Sequence, residues 1–152
     1  MTVSDGQPKI RFSLAGPYSN EGLSFGPKVI TFHKDAIYHT STDDFVELPA
    51  GTFIAQAFIE ADVAINQTAT CTLGVDGDPN ALISDFDPTT QYNWGSNIGS
   101  TTNTTASQGF YLSAADTLRL AISTTGTVGE VSGFIVYYEL KNMLSELTHF
   151  EL

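Results

Sequence analysis

The chain has 152 residues, a length suited to one domain that buries roughly 70% of the surface its unfolded form would expose. Six Lys and Arg against 17 Asp and Glu leave a net charge of −11, which repels phosphate backbones and anionic lipids and argues against nucleic acid or membrane as a partner. No apolar run approaches the roughly 18 residues that cross a bilayer, and one cysteine, Cys71, cannot form an internal disulfide, so the expectation is a soluble protein from a reducing compartment, held by packing alone.

Charge divides along the chain. Residues 1–34 carry Lys9, Arg11, Lys28 and Lys34 against Asp5 and Glu21, a balance of +2, whereas residues 35–152 carry 15 acids against Arg119 and Lys141, a balance of −13. An acidic body serves solubility. The basic lead segment, rich in Gly, Pro and Ser (LAGPYSNEGLSFGPK), can also reach an acidic surface on a neighbouring subunit, and the two readings stand together. KIRFSL (Lys9 to Leu14) reads as a short strand, residues 15–27 are punctuated by turn formers, and KVITFHKDAIYHT (Lys28 to Thr40) resumes a strand pattern. This predicts an N-terminal arm over 1–28, a body over 29–140 and a tail over 141–152.

Within the body, LPAGTFIAQAFIE (Leu48 to Glu60) alternates, with Phe53, Ala55, Ala57 and Ile59 predicted inward and Ile54 and Phe58 on the opposite face. ATCTLGV places Cys71, Leu73 and Val75 inward before breaking at the turn-rich DGDPN, Asp76 to Asn80. In QGFYLSAADTLRLAIS (Gln108 to Ser123), Phe110, Leu112, Leu118, Leu120 and Ile122 share a face, with a turn over Ser113 to Asp116. VSGFIVYYEL (Val131 to Leu140) puts Phe134, Val136 and Tyr138 on one face and Ile135 and Tyr137 on the other. Short strands at this spacing predict an all-β sandwich or barrel. LKNMLSELTHFEL suits a short helix with Met143, Leu144 and Leu147 on one stripe, docked on the body or a neighbour.

Apolar residues on both faces of one strand need two covers. Fully burying such a side chain is worth roughly 1.5–3 kcal/mol, so Ile54, Phe58, Ile135 and Tyr137 are predicted to meet a second subunit, unless another segment of the same chain covers them.

Candidate chemistry is sparse. Asp76, Asp78, Asn80, Ser84 and Asp87 approach the spacing of a calcium loop with Ile83 in its apolar slot, but Ala81 stands where the loop needs Gly, Pro79 stiffens it and Asp87 replaces the bidentate Glu. The leading reading is a solvated acidic turn, with Asp76, Asp78, Asn80 and Asp87 the alternative metal ligands. His33, His39 and His149 are the imidazoles. On one strand His33 and His39 would stand about 20 Å apart, too far to share an ion, and Asp35 could orient His33. No nucleophile motif such as G-x-S-x-G accompanies them. Tyr92 and Trp94, followed by the polar loop SNIGSTTNTTASQG (Ser96 to Gly109), could form a carbohydrate platform; the plainer reading packs Trp94 on the end of the barrel.

LPAGTFIAQAFIE, QGFYLSAADTLRLAIS and VSGFIVYYEL together resemble the strand series of the tumour necrosis factor-like jelly roll, including complement-type heads, with a Pro/Gly lead-in to one strand and a Ser-Gly-Phe strand ending the domain. TCTLGVDGDPNALISDFD after an LPAG-type strand is similar to small structural proteins of tailed bacteriophages, either head decoration or fibre-associated. The resemblance implies an antiparallel β-sandwich of jelly-roll type, with an N-terminal extension and a short C-terminal helix or tail. It also implies a homotrimer, because such jelly rolls associate about a threefold axis. The function implied is that of a non-enzymatic virion protein without cofactor: a capsid decoration protein bound to the major capsid protein or another virion protein, assembled in the host cytoplasm. The alternative is a trimeric carbohydrate- or receptor-binding head of a fibre.

Overall fold

Alternation of apolar and polar residues between turn-forming stretches becomes strand wherever the chain is described. The structure is a computed structural model and describes residues 10–15, 26–35, 41–97, 109–124 and 128–140. The strands are β1 (Arg11–Ala15), β2 (Lys28–Asp35), β3 (Ser41–Leu48), β4 (Thr52–Val63), β5 (Cys71–Val75), β6 (Asp78–Phe86), β7 (Trp94–Ser96), β8 (Phe110–Leu112), β9 (Asp116–Ile122) and β10 (Glu130–Glu139). The helix expected beyond residue 140 lies outside the described residues, as do His39 and His149. The strand expected at Lys9 to Leu14 is present as β1, which pairs along its length with β2.

Two antiparallel sheets face each other. The larger runs β1-β2-β10-β4-β7, with β8 pairing the first residues of β4, and the smaller runs β3-β9-β5-β6. The chain crosses between them repeatedly, and its last strand returns to lie between β2 and β4 in the large sheet. That order makes an all-β sandwich of jelly-roll type.

The inner faces of β5 and β9 follow the alternation. Cys71, Leu73, Val75, Leu118, Leu120 and Ile122 are all at most 2% exposed. Together with Ile30 and Phe32 of β2 and Ile83 and Phe86 of β6 they fill the space between the sheets. One inward position is cationic: Lys34 is 1% exposed and its Nζ bonds Asp43 of β3, so the buried charge is neutralised across the sandwich.

The faces of β4 and β10 differ from the predicted ones. Ile54 and Ile135 are 0% exposed and Tyr137 is 5% exposed, so these three belong to the chain's own core and are unavailable to a second subunit; Phe58 alone of the four lies on the outer face. The reason in β4 is a bulge. Val136 pairs with Gln56 while Tyr137 pairs with Ile54, which leaves Ala55 as an extra residue and shifts the alternation by one. Ile54 therefore shares the inner face with Ala57, Ile59 and Ala61, and Phe53 turns outward with Phe58. In β10 both faces are apolar, so the two-residue period alone could not say which one meets the core.

Asn97, fully buried, secures the bulge. Its Oδ1 accepts from the Ala57 N–H at 2.7 Å, its Nδ2 donates to the Ala55 carbonyl at 3.4 Å, and its own N–H donates to the Ala57 carbonyl at 3.2 Å. These bonds occupy backbone groups of β4 in the gap between its pairing with β8, which ends at Ile54, and with β7, which begins at Phe58.

Candidate functional site

The outer face of the large sheet gathers the side chains that alternation leaves without a partner layer. Phe134 of β10 and Phe58 of β4 are Cα partners, with ring centroids 5.3 Å apart and planes inclined by 15°. Trp94 of β7 continues the stack on Phe58, at 5.9 Å and 19°. Three strands thus contribute a row of aromatic rings whose outermost member, Trp94, is 59% exposed. Toward the β8 end, Phe53 pairs with Tyr138 on one side and with exposed Tyr111 on the other. The face is apolar and half-buried where a surface residue would ordinarily be charged.

Tyr92 sits in the turn before β7, 69% exposed, with φ at 64°. An aromatic residue in the left-handed region is uncommon. The turn is held there by the Tyr92 N–H donating to the Ala61 carbonyl and the Asn93 side chain donating to the Asp87 carbonyl. Tyr92 and Trp94 are therefore both presented at this end of the large sheet, but no ring contact joins them among the described residues.

The acidic turn does not converge on an ion. Asp76 reaches the Arg119 guanidinium at 2.5 Å, while Asp78 and Asn80 open β6 and Asp87 lies past its other end. Asp78 pairs with Val75 and Phe86 with Cys71, so the nine residues of β6 run against only five of β5, with bulges along the way and Asp85 at φ 55°. The calcium-loop reading of Asp76, Asp78, Asn80 and Asp87 gains no support: among the described residues the carboxylates of Asp76, Asp78 and Asp87 are not gathered into a group that could hold an ion, and the exposed turn at Asp76 keeps the reading of a solvated acidic turn. Asp87 instead accepts from the Thr89 hydroxyl and N–H, which hold its carboxyl below the usual range. Arg119 also donates to Asp44 at 2.7 Å and holds that carboxyl low. Burial pushes the Cys71 thiol up to about 12, as befits a core residue.

A second polar group was only partly visible in the sequence. His33, two residues before Asp35 on the outer face of β2, lies 3.1 Å from it through Nε2, as the spacing suggested. Glu130 of β10 and Asp62 of β4 join them from strands adjacent in the sheet but distant in the chain. Only the pairing of β2, β10 and β4 brings these four together, and no local signal announces it.

No protein-family model matches this chain, and no curated protein matches it in sequence. Its fold does match chains in solved structures. A chain of the cyanophage Pam1 capsid asymmetric unit aligns with a TM-score of 0.56 and 18% identity, covering 82% of this chain and 91% of that one. A chain of the acidic stable capsid of Helicobacter pylori bacteriophage KHP30 aligns at 0.55 and 8% identity, covering 84% and 93%. A chain of the Ralstonia phage GP4 capsid aligns at 0.53 and 13% identity, covering 82% and 90%. At these identities the likeness is one of fold.

Proposed function

We propose that this chain is a structural protein of a bacteriophage virion, serving without catalysis as a capsid decoration protein that assembles as a homotrimer in the host cytoplasm. The observation that carries the reading is the likeness just given: three phage capsid structures each hold a chain of this fold, aligned over more than four fifths of its length. The trimer follows from the jelly-roll resemblance of the strand series. Contact with other subunits, or with the major capsid protein, is assigned to the outer face of the large sheet, centred on Phe58, Phe134 and Trp94. Burying rings that one copy leaves half-exposed supplies the association energy, and the net charge of −11 limits nonspecific adhesion of the rest.

Light scattering of the purified protein, and its co-sedimentation with particles from its source, test both parts. The expected results are a trimer mass and recovery with the particles, and Phe58→Asp should leave a folded monomer. A monomeric wild type overturns the trimer; absence from particles overturns the virion role.

Exposed Tyr92 and Trp94 favour a second reading, a carbohydrate- or receptor-binding head. Glycan-array binding that vanishes in Trp94→Ala would select it.

A further inference from the structure

We propose that His33, Asp35 and Glu130 form a binding site for a divalent first-row transition-metal cation such as Zn2+, with Asp62 as the positioning residue behind the imidazole. The donor atoms of the three ligands lie within 4.8 Å of one another, on the outer faces of β2 and β10. His33 Nε2 is 3.1 Å from Asp35 Oδ1 and 3.8 Å from Glu130 Oε2. Donors bound to zinc at about 2.0–2.2 Å stand about 3–3.5 Å from each other, and the two distances from His33 Nε2 already lie at or near that spacing.

The other side of the ring supplies an independent feature. His33 Nδ1 faces Asp62 Oδ2 at 3.5 Å, and the second oxygen of Asp62 accepts from the Ser132 hydroxyl at 2.9 Å. A histidine that ligates through one nitrogen commonly gives its other N–H to a carboxylate, which fixes tautomer and ring orientation. Asp62 stands at a second bulge of β4, where Glu130 pairs with Val63 and Val131 with Ala61, so the strand spends an extra residue at this point.

Charge favours the same assignment. Three carboxylates surround one imidazole, and among the described residues no Lys or Arg lies within ion-pair distance of any of them, Arg11 on the neighbouring strand included. A neutral imidazole leaves three negative charges together and a protonated one leaves two. The side chains are 29–40% exposed, open enough for an ion to enter and for water to complete its shell. One imidazole nitrogen with carboxylate oxygens suits Zn2+ and its first-row neighbours better than Ca2+, which takes oxygen alone. On binding, the Nε2 lone pair goes to the metal and the remaining ring proton sits on Nδ1, toward Asp62.

Calorimetric titration of the full chain with Zn2+, near neutral pH and at physiological salt, is the test. The expected result is one ion per chain, saturable binding lost in Glu130→Gln and in His33→Gln, and an affinity lowered roughly 10- to 100-fold in Asp62→Asn. Circular dichroism confirms that each variant keeps its fold, and the near-isosteric Glu130→Gln carries the test if His33→Gln does not. No saturable binding by the wild type overturns the proposal. Binding that survives both Glu130→Gln and His33→Gln also overturns it, because the ion then belongs to the acidic surface at large, as does a site that Ca2+ fills in preference to Zn2+.

Discussion

Adjacent residues of β10 should respond unequally to truncation. Ile135 is 0% exposed, and its Cα partners are Ile30 on one side and Ala57 on the other, both also 0% exposed. Ile135→Ala removes three carbons, about 2.4 kcal/mol at roughly 0.8 per buried group. The cavity left between two rigid sheets raises the cost to about 3–4 kcal/mol, which for a chain of this size lowers Tm by about 10 °C. Phe134, one residue earlier, faces outward against Phe58. Phe134→Ala loses a stacking contact worth about 0.5–1.5 kcal/mol together with a partial burial term, so about 1–2 kcal/mol in all. Urea unfolding of both variants, monitored by circular dichroism at a protein concentration that keeps them monomeric, measures the difference. The charged pair sharpens it: Phe134→Asp should fold and Ile135→Asp should not, because the second buries an unpaired carboxylate. A larger loss for Phe134→Ala than for Ile135→Ala would refute the assignment of inner and outer faces, and with it the outer aromatic row as a contact surface.

Asn97→Ala should cost about 1–3 kcal/mol, the penalty for leaving the Ala57 N–H buried without an acceptor; an unchanged urea midpoint would show that the bulge holds without it. Cys71, with its thiol raised to about 12, should resist a thiol reagent at mildly alkaline pH until the protein unfolds. Labelling of the native protein as fast as the denatured one would contradict that burial. Arg119→Ala should lower stability near neutral pH, where Asp44 is ionised and held low by the guanidinium hydrogen bond. A depressed carboxyl contributes above its unfolded value and loses that contribution as pH falls through the folded one, so the gap between wild type and variant should narrow below about pH 4. Denaturation midpoints at neutral and acid pH, with a gap that fails to narrow, would count against it.

Alternation was a sufficient guide where one face of a strand is apolar and the other polar. In β9, Leu118, Leu120 and Ile122 stand against Thr117, Arg119 and Ala121, and only one orientation buries the apolar set. In β4 and β10 both sets are apolar, and the sequence holds no preference between them. The bulge at Ala55 adds a second obstacle, since an extra residue leaves no compositional mark: Ala-Gln-Ala is equally at home in regular strand. Asn97 could be found only through its partners, 40 and 42 residues away in the chain. The ligand-like spacing at the acidic turn misleads for the converse reason. Asp76 to Asp87 has ligand-like spacing, but Leu82 and Ile83 are buried as part of β6, and the bulged strand does not gather Asp76, Asp78 and Asp87 into a group.

The two bulges of β4 bracket the segment that carries both features of the outer face. Between them the strand alternates strictly, sending Ala57, Ile59 and Ala61 inward and Phe58 and Glu60 outward, with Asp62 at the second bulge. On β10 the successive outward residues Phe134, Ser132 and Glu130 lie alongside. The aromatic stack and the His33 cluster are therefore neighbouring stretches of one surface, built on the same pair of strands and set in register by the same ladder. Without Ala55 the register of β4 relative to β10 would slip by one residue on one side of the bulge, turning Ile54 out and Phe53 in. The extra residue, stitched down by Asn97, lets one strand bury Ile54 at one end of the core while it presents Phe58 on the outer face.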